Sequence, residues 1–208
     1  DHAWQPLRLG QGFLDFTPEG RASGPLWAVE HLDADARTRR DTGIRMPKPM
    51  IPMAVHAPHD DSYLVFDLHQ SAADEQRWLE AKHRDIWRLD RQLRSQKLSI
   101  PAGPWVGIGA GTISFLPARP GVLITSNNFA RNGSAGGAGL YLWRPGAAAQ
   151  RLETGLVQKA AVSPDGCRLA YGFKPRLDTG LPEGGPRLVV LDLCARSRDR
   201  RRGPEQTG

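Results

Sequence analysis

Short apolar runs recur along this chain, and proline, glycine or aspartate punctuates each of them. The clearest case is Val162–Leu193. Cys167, Leu169 and Tyr171 alternate with Arg168 and Ala170, the two-residue period of a strand with one buried face. Leu188–Leu193 is a second run, β-branched and apolar, closing on Asp192 and Leu193. Ahead of both, Ser163-Pro164-Asp165-Gly166 is turn chemistry: proline presets φ, aspartate bonds its own backbone, and glycine supplies φ > 0. A turn, a strand, a Gly/Pro-rich loop and a second strand make an antiparallel unit that cannot bury its faces alone.

Softer copies of the turn precede it. Asp15-Phe16-Thr17-Pro18-Glu19-Gly20-Arg21 parallels Ala161-Val162-Ser163-Pro164-Asp165-Gly166-Cys167, and His56–Asp61 and Phe115–Gly121 lie between them. The prolines at 18, 58, 117 and 164 are spaced by 40, 59 and 47 residues. A repeat of four strands takes roughly 40–50 residues, so the long interval needs an insertion. Ser71 with Asp74 suits a helix cap, and Trp78, Leu79 and Lys82 share a face; the spacing predicts one short helix near 71–83. Strands are predicted at Leu26–Leu32, Ser62–Leu68, Ile86–Asp90, Gln96–Ile100, Thr112–Leu116, Val122–Ser126, Leu140–Arg144 and Gln150–Glu153. Arg37–Arg45 reads as an edge strand or a loop. Met46–Pro52, with three prolines, reads as an extended connection. Asn132–Gly139 reads as a flexible hairpin tip. Leu140–Gly146 corresponds to Leu188–Cys194 at a spacing of 48.

The strand after the Ser-Pro-Asp-Gly turn and the Leu-Val-Val-Leu-Asp-Leu strand resemble the repeat of TolB-like and WD-repeat β-propellers over Val162–Leu193. The resemblance implies an all-β fold: a propeller of about four blades of four-stranded antiparallel sheet in an incomplete ring. The blades would occupy residues 1–195 as units 10–50, 51–103, 104–155 and 156–195, with 196–208 a basic disordered tail. The repeat turns are carried by Pro18, Gly20, Pro58, Asp60, Pro117, Gly121, Pro164, Asp165 and Gly166. Also implied is a non-catalytic scaffold for protein–protein interaction in the periplasm or cell envelope of a bacterium. The competing class is the propeller portion of an enzyme, either a propeller hydrolase or the gating domain of a prolyl-oligopeptidase-type serine peptidase. An unclosed array leaves exposed faces and edges that proteins avoid. With the sequence opening at Asp1 in mid-pattern, it reads as a fragment.

Composition narrows the alternatives. Among 208 residues, 23 Gly and 17 Pro suit many turns between short strands and would break a helical bundle. The formal charge of +6 invites a nucleic-acid partner. Its location argues otherwise: Arg196, Arg198, Arg200, Arg201 and Arg202 against Asp199 put +4 in residues 196–202, with no aromatic platform interleaved. Nucleic acid is therefore not an expected partner; a protein is. No run approaches the ~20 apolar residues of a membrane span.

The candidate chemistry is thin. His83-Arg84-Asp85 matches a fragment of the kinase catalytic loop, but Asp90 stands where the signature needs Asn, and the glycine-rich loop is missing. Gly107-Ile108-Gly109-Ala110-Gly111-Thr112 lacks the third glycine of a dinucleotide fingerprint and the helix after it. His56, His59, Asp60 and Asp61 have metal-binding atoms, yet Pro58 places them in a turn. No catalytic residue, cofactor or metal is expected. Trp27, Trp87 and Trp143 fall in strand patterns and are expected between blades; Trp4, Trp78 and Trp105 lie in less regular segments, with core packing again the default. Cys167 opens one strand of the last hairpin and Cys194 closes the next, which makes them neighbours. With Leu169 opposite Leu191, Cys194 falls one residue off register and points to the other face; a one-residue shift would set the cysteines opposite each other. Bonding is left open.

Overall fold

The computed structural model describes residues 8–9, 12–18, 26–33, 38–47, 51–68, 83–106, 113–128, 136–174 and 187–195. They form fifteen strands in four antiparallel sheets. The first sheet holds β1 (Arg8–Leu9), β2 (Gly12–Pro18), β3 (Leu26–Asp33) and β4 (Arg39–Pro47). The second holds β5 (Ile51–Ala57), β6 (Ser62–Leu68), β7 (His83–Leu89) and β8 (Ser95–Pro101). The third holds β9 (Ile113–Ala118), β10 (Gly121–Ser126), β11 (Gly139–Trp143) and β12 (Gln150–Thr154). The fourth holds β13 (Leu156–Val162), β14 (Arg168–Lys174) and β15 (Arg187–Asp192). Within each sheet every strand pairs with its neighbour in the chain, so each is a meander. No helix among the described residues is long and apolar enough to cross a membrane.

Side-chain alternation explains how the sheets stack. In β6, Tyr63 and Val65 join a core with Leu14, Val29, Ile44 and Met46 of the first sheet. Leu64 and Phe66 of the same strand face the other way, onto Ile113, Phe115, Val122 and Ile124 of the third sheet. The third sheet repeats the arrangement. Tyr141 and Trp143 of β11 point back to the second sheet, while Leu140 and Leu142 point forward to Leu169, Tyr171 and Phe173 of β14. A period of two thus gives one strand to two cores, and three apolar layers separate four sheets. Fully burying each such side chain contributes about 1.5–3 kcal/mol, so these layers dominate the stability of the stack. The fourth sheet ends the series. Val189 and Leu191 pack inward, whereas Leu188 is 78% exposed and Val190 64%.

Of the two readings open for Arg37–Arg45 the edge strand holds, and one expectation needs correction. Arg39–Pro47 is a strand, paired with β3 around an irregularity between Ala28 and Glu30 that Thr42 bridges, its hydroxyl donating to the Val29 carbonyl at 2.6 Å. Thr42, Ile44 and Met46 are buried, while Asp41 and Gly43 are exposed and Arg45 is half-buried, so the two-residue period is kept. The proline-rich segment 46–52 is not merely a connection, because Ile51 and Pro52 already pair with Leu68 and Asp67. β5 lies at the edge of its sheet, where a proline without a ladder donor is tolerated. The helix near 71–83 falls outside the described residues except for His83, which opens β7.

The last hairpin adopts the expected register, with Leu169 opposite Leu191. Cys167 and Cys194 are nonetheless joined, with Cα atoms 5.2 Å apart. Leu193 N–H still donates to the Cys167 carbonyl at 2.7 Å, as this register requires, and the strand turns away after it. The Asp192 carboxylate accepts from the backbone N–H groups of Cys194 and Ala195, and this turn swings Cys194 back onto Cys167. The off-register expectation had continued the strand one turn too far.

Candidate functional site

The Ser163–Gly166 turn forms as its residue types require. Gly166 N–H donates to the Ser163 carbonyl at 2.8 Å, and Ser163 Oγ donates to Asp165 Oδ1 at 2.5 Å. The same carboxylate accepts from Cys167 N–H at 3.0 Å, and Arg168 N–H donates to Ser163 Oγ at 2.9 Å. These bonds hold the Asp165 carboxyl below the usual carboxylate range, the Ser163 hydroxyl contributing most. Gly166 takes φ +73°, the left-handed region that glycine enters without steric cost.

In the second sheet the equivalent turn spans Pro58–Asp61 between β5 and β6. Asp60 Oδ1 accepts from Ser62 N–H and from Ser62 Oγ at 2.6 Å, while its Oδ2 pairs with the Arg88 guanidinium of β7. His59 Nε2 lies 3.6 Å from that same oxygen. His56 Nε2 meets Asp61 Oδ1 at 3.0 Å. Among the described residues no group of three potential ligands is placed to hold a metal ion.

Three of the repeat turns meet at one end of the stack. Arg119, in the turn between β9 and β10, donates its backbone N–H to the Gly166 carbonyl at 2.9 Å and its Nε–H to the Asp165 carbonyl at 3.2 Å. His59 lies over the same glycine: a Cβ there would sit 2.8 Å from the imidazole and 2.9 Å from the Arg119 nitrogen. Beside this junction a cleft of about 450 Å³ opens between the second and third sheets. Leu64, Leu98, Val122 and Trp143 form its apolar part, and Pro117, Pro120 and Pro145 stiffen its walls. His59, Asp60, Ser62, Arg88, Gln96 and Arg119 supply its polar groups.

His59 sits among charges of both signs at the junction. Burial, and then the neighbouring Arg88 and Arg119, push the His59 pKa below its ordinary value, with only Asp165 opposing them. His59 is therefore neutral at pH 7. Ser62 gives its proton to Asp60 rather than to an imidazole, so the histidine is not set as its base.

The sequence singled out the turn residues one by one; the structure brings Pro58 and Asp60, Arg119-flanking Pro117 and Gly121, and Pro164, Asp165 and Gly166 to one end. Pro117 lies within β9 opposite Val122, and Gly121 opens β10. Pro18 pairs with Trp27 at the end of β2, and Gly20 lies outside the described residues. Missed were His59 as a packing partner, and Arg88, Gln96, Leu98 and Arg119. His59 and Arg119 were signalled only by adjacency to the repeated turns, and Arg88, Gln96 and Leu98 lay in predicted strands with nothing to mark them. Trp105 and Trp143 are buried as core packing requires, at 1% and 4% exposure. The segments 107–112 and 129–135 lie outside the described residues.

Four antiparallel meanders, stacked face to face in chain order, define a β-propeller, open and incomplete in that the last sheet presents bare apolar residues. No family model matches the chain. No curated protein matches its sequence. In structure it is similar to the β-propeller domain of the Trilobed protease from Pyrococcus furiosus, a domain with an open velcro topology. The TM-score is 0.51 at 12% identity, covering 88% of this chain and 51% of that one. Hydrazine Synthase from Kuenenia stuttgartiensis gives a TM-score of 0.43 at 12% identity, covering 88% of this chain and 56% of that one. The chain thus spans about half the length of the structures it matches.

Proposed function

We propose that this chain is a non-catalytic propeller scaffold that binds a protein partner at the end where the repeat turns converge. The observation that carries this reading is the cleft beside the junction, an apolar floor of Leu64, Leu98, Val122 and Trp143 under a polar rim that carries Arg119. That combination, central apolar anchors with arginine at the margin, suits a protein interface. Ser62, Asp60 and Arg88 bind one another, which supports a structural role for them rather than a nucleophile-and-base arrangement. The Cys167–Cys194 disulfide favours an oxidising compartment, in keeping with the cell-envelope setting of TolB-like proteins.

A photo-crosslinking residue at Gln96, on the cleft rim, tests the reading in cells. It is expected to trap one defined protein, and the same residue at Val190 on the far face is not. Absence of a Gln96 adduct overturns the scaffold reading. So does hydrolysis of peptide substrates by the purified protein that Ser62→Ala abolishes, which would establish the enzyme class instead.

A further inference from the structure

We propose that the cleft between the second and third sheets binds an extended peptide in which an aspartate or glutamate neighbours a bulky apolar residue, with Arg119 taking the carboxylate. The inference rests on the scaffold reading and names the chemistry of its partner. Asp60, Arg88, Asp165 and Arg119 are the charged side chains at or beside the cleft, and the first three are already committed. The Asp60 carboxylate is held by Ser62 and Arg88, which also neutralises Arg88. The Asp165 carboxylate is hydrogen-bonded within its own turn by the Ser163 hydroxyl and the Cys167 N–H, and Arg119 acts on it only through space, without an ion-pair contact.

Arg119 is the exception. Its Nε–H donates to a neutral acceptor, the Asp165 carbonyl, which fixes the guanidinium at the mouth of the cleft. Among the described residues no carboxylate lies within ion-pair distance of it, and its terminal Nη groups make no hydrogen bond. A guanidinium anchored through Nε and open at Nη presents the planar fork that a carboxylate accepts in two parallel bonds. His59 feels the Arg119 charge, although burial is the main cause of its lowered pKa and Asp165 opposes the shift.

The rest of the cleft selects for peptide over a free ion. Half-buried Leu98, backed by the edges of the core residues Leu64, Val122 and Trp143, gives apolar lining beyond the charged mouth, and Pro117, Pro120 and Pro145 keep the walls from collapsing. A volume of about 450 Å³ falls in the range of formed ligand clefts. A lone anion would leave that apolar surface uncovered. An acidic residue next to leucine or phenylalanine would fill both parts.

Fluorescence polarisation with three labelled peptides tests this: a Gly-flanked Leu-Glu-Leu-Glu-Leu segment, its Gln counterpart and its Lys counterpart, at about 0.15 M salt. The Glu peptide is expected to bind the intact chain at least about tenfold more tightly than the Gln peptide. Arg119→Glu should reverse the order and make the Lys peptide the tightest. Gln96→Glu, on an exposed rim residue outside the turn, should weaken the Glu peptide without altering the fold, and covers the case in which the Arg119 variant is unfolded. Equal affinity for Glu and Gln peptides overturns the acidic preference while leaving the scaffold reading standing. Displacement of the Glu peptide by acetate as effectively as by unlabelled peptide overturns the peptide in favour of a small-anion site. If none of the three binds, the inference falls, and the Gln96 crosslink then decides separately whether the scaffold reading falls with it.

Discussion

Replacing Gly166 by alanine probes the junction of the three turns directly. The residue sits at φ +73°, where an L side chain is strained by about 1–2 kcal/mol. The added Cβ would also lie 2.8 Å from His59 Cγ and Nδ1 and 2.9 Å from the Arg119 backbone nitrogen. The imidazole could turn aside, but the Arg119 nitrogen is backbone and already donates to the Gly166 carbonyl. Overpacking of this kind costs about 1–3 kcal/mol, for a total of about 2–5 kcal/mol. Gly146 supplies the control: it has φ +79°, and a Cβ there meets nothing within 4 Å. Gly146→Ala should therefore lose only the backbone part, about 1–2 kcal/mol. Urea unfolding followed by tryptophan fluorescence gives both values, compared at equal m. The difference between the two variants measures the contact between turns. If Gly166→Ala is no more damaging than Gly146→Ala, the turns do not meet as described, and the cleft built on them fails. Adding His59→Ala to Gly166→Ala should recover part of the loss, as a double-mutant cycle reports for touching groups.

Leu142→Ala and Leu169→Ala, both in the layer between the third and fourth sheets, should each lower stability by about 2–5 kcal/mol, whereas Val190→Ala should change it by less than about 0.5 kcal/mol in the same denaturation assay. Thiol titration of the denatured, unreduced protein should find no free cysteine; closing a loop of 27 residues contributes about 3.5 kcal/mol, so the Cys167→Ser, Cys194→Ser double variant should unfold at markedly lower urea. His59 has a folded pKa below its ordinary 6.5, so the unfolded chain takes up the proton first as pH falls. Stability should accordingly decline on acidification through about pH 6.5 and recover above it, and His59→Gln should remove that component; an unchanged pH profile would show that the imidazole is not held neutral.

Much of the fold was legible because strand alternation and turn chemistry are local. The Ser163–Gly166 turn follows from what its four side chains do to their own backbone, and neighbouring hairpin strands pair without long-range help. From its sequence Arg39–Pro47 is open between edge strand and loop, since two of its three alternating buried positions, Thr42, Ile44 and Met46, are apolar and the third is polar. Proline-rich 46–52 was misread because an edge strand tolerates what a central strand rejects, and edge position is not a local property. The disulfide depended on Asp192 turning the chain after the last paired residue, one step past where strand spacing applies.

The sequence by itself indicated β3, β6 to β12, β14 and β15, and the correspondence of Leu140–Gly146 with Leu188–Cys194. It could not determine what those equivalent residues touch. Leu140 and Leu142 are buried, at 0% and 4%, because the fourth sheet covers them; Leu188 and Val190, their copies, stand at 78% and 64% exposure. The apolar side chains are of one kind, and only the presence of a neighbouring sheet separates core from surface. The cleft obeys the same rule. His59, Arg119 and Gly166 lie on three different sheets, and their meeting follows from how the sheets stack, which no local pattern encodes.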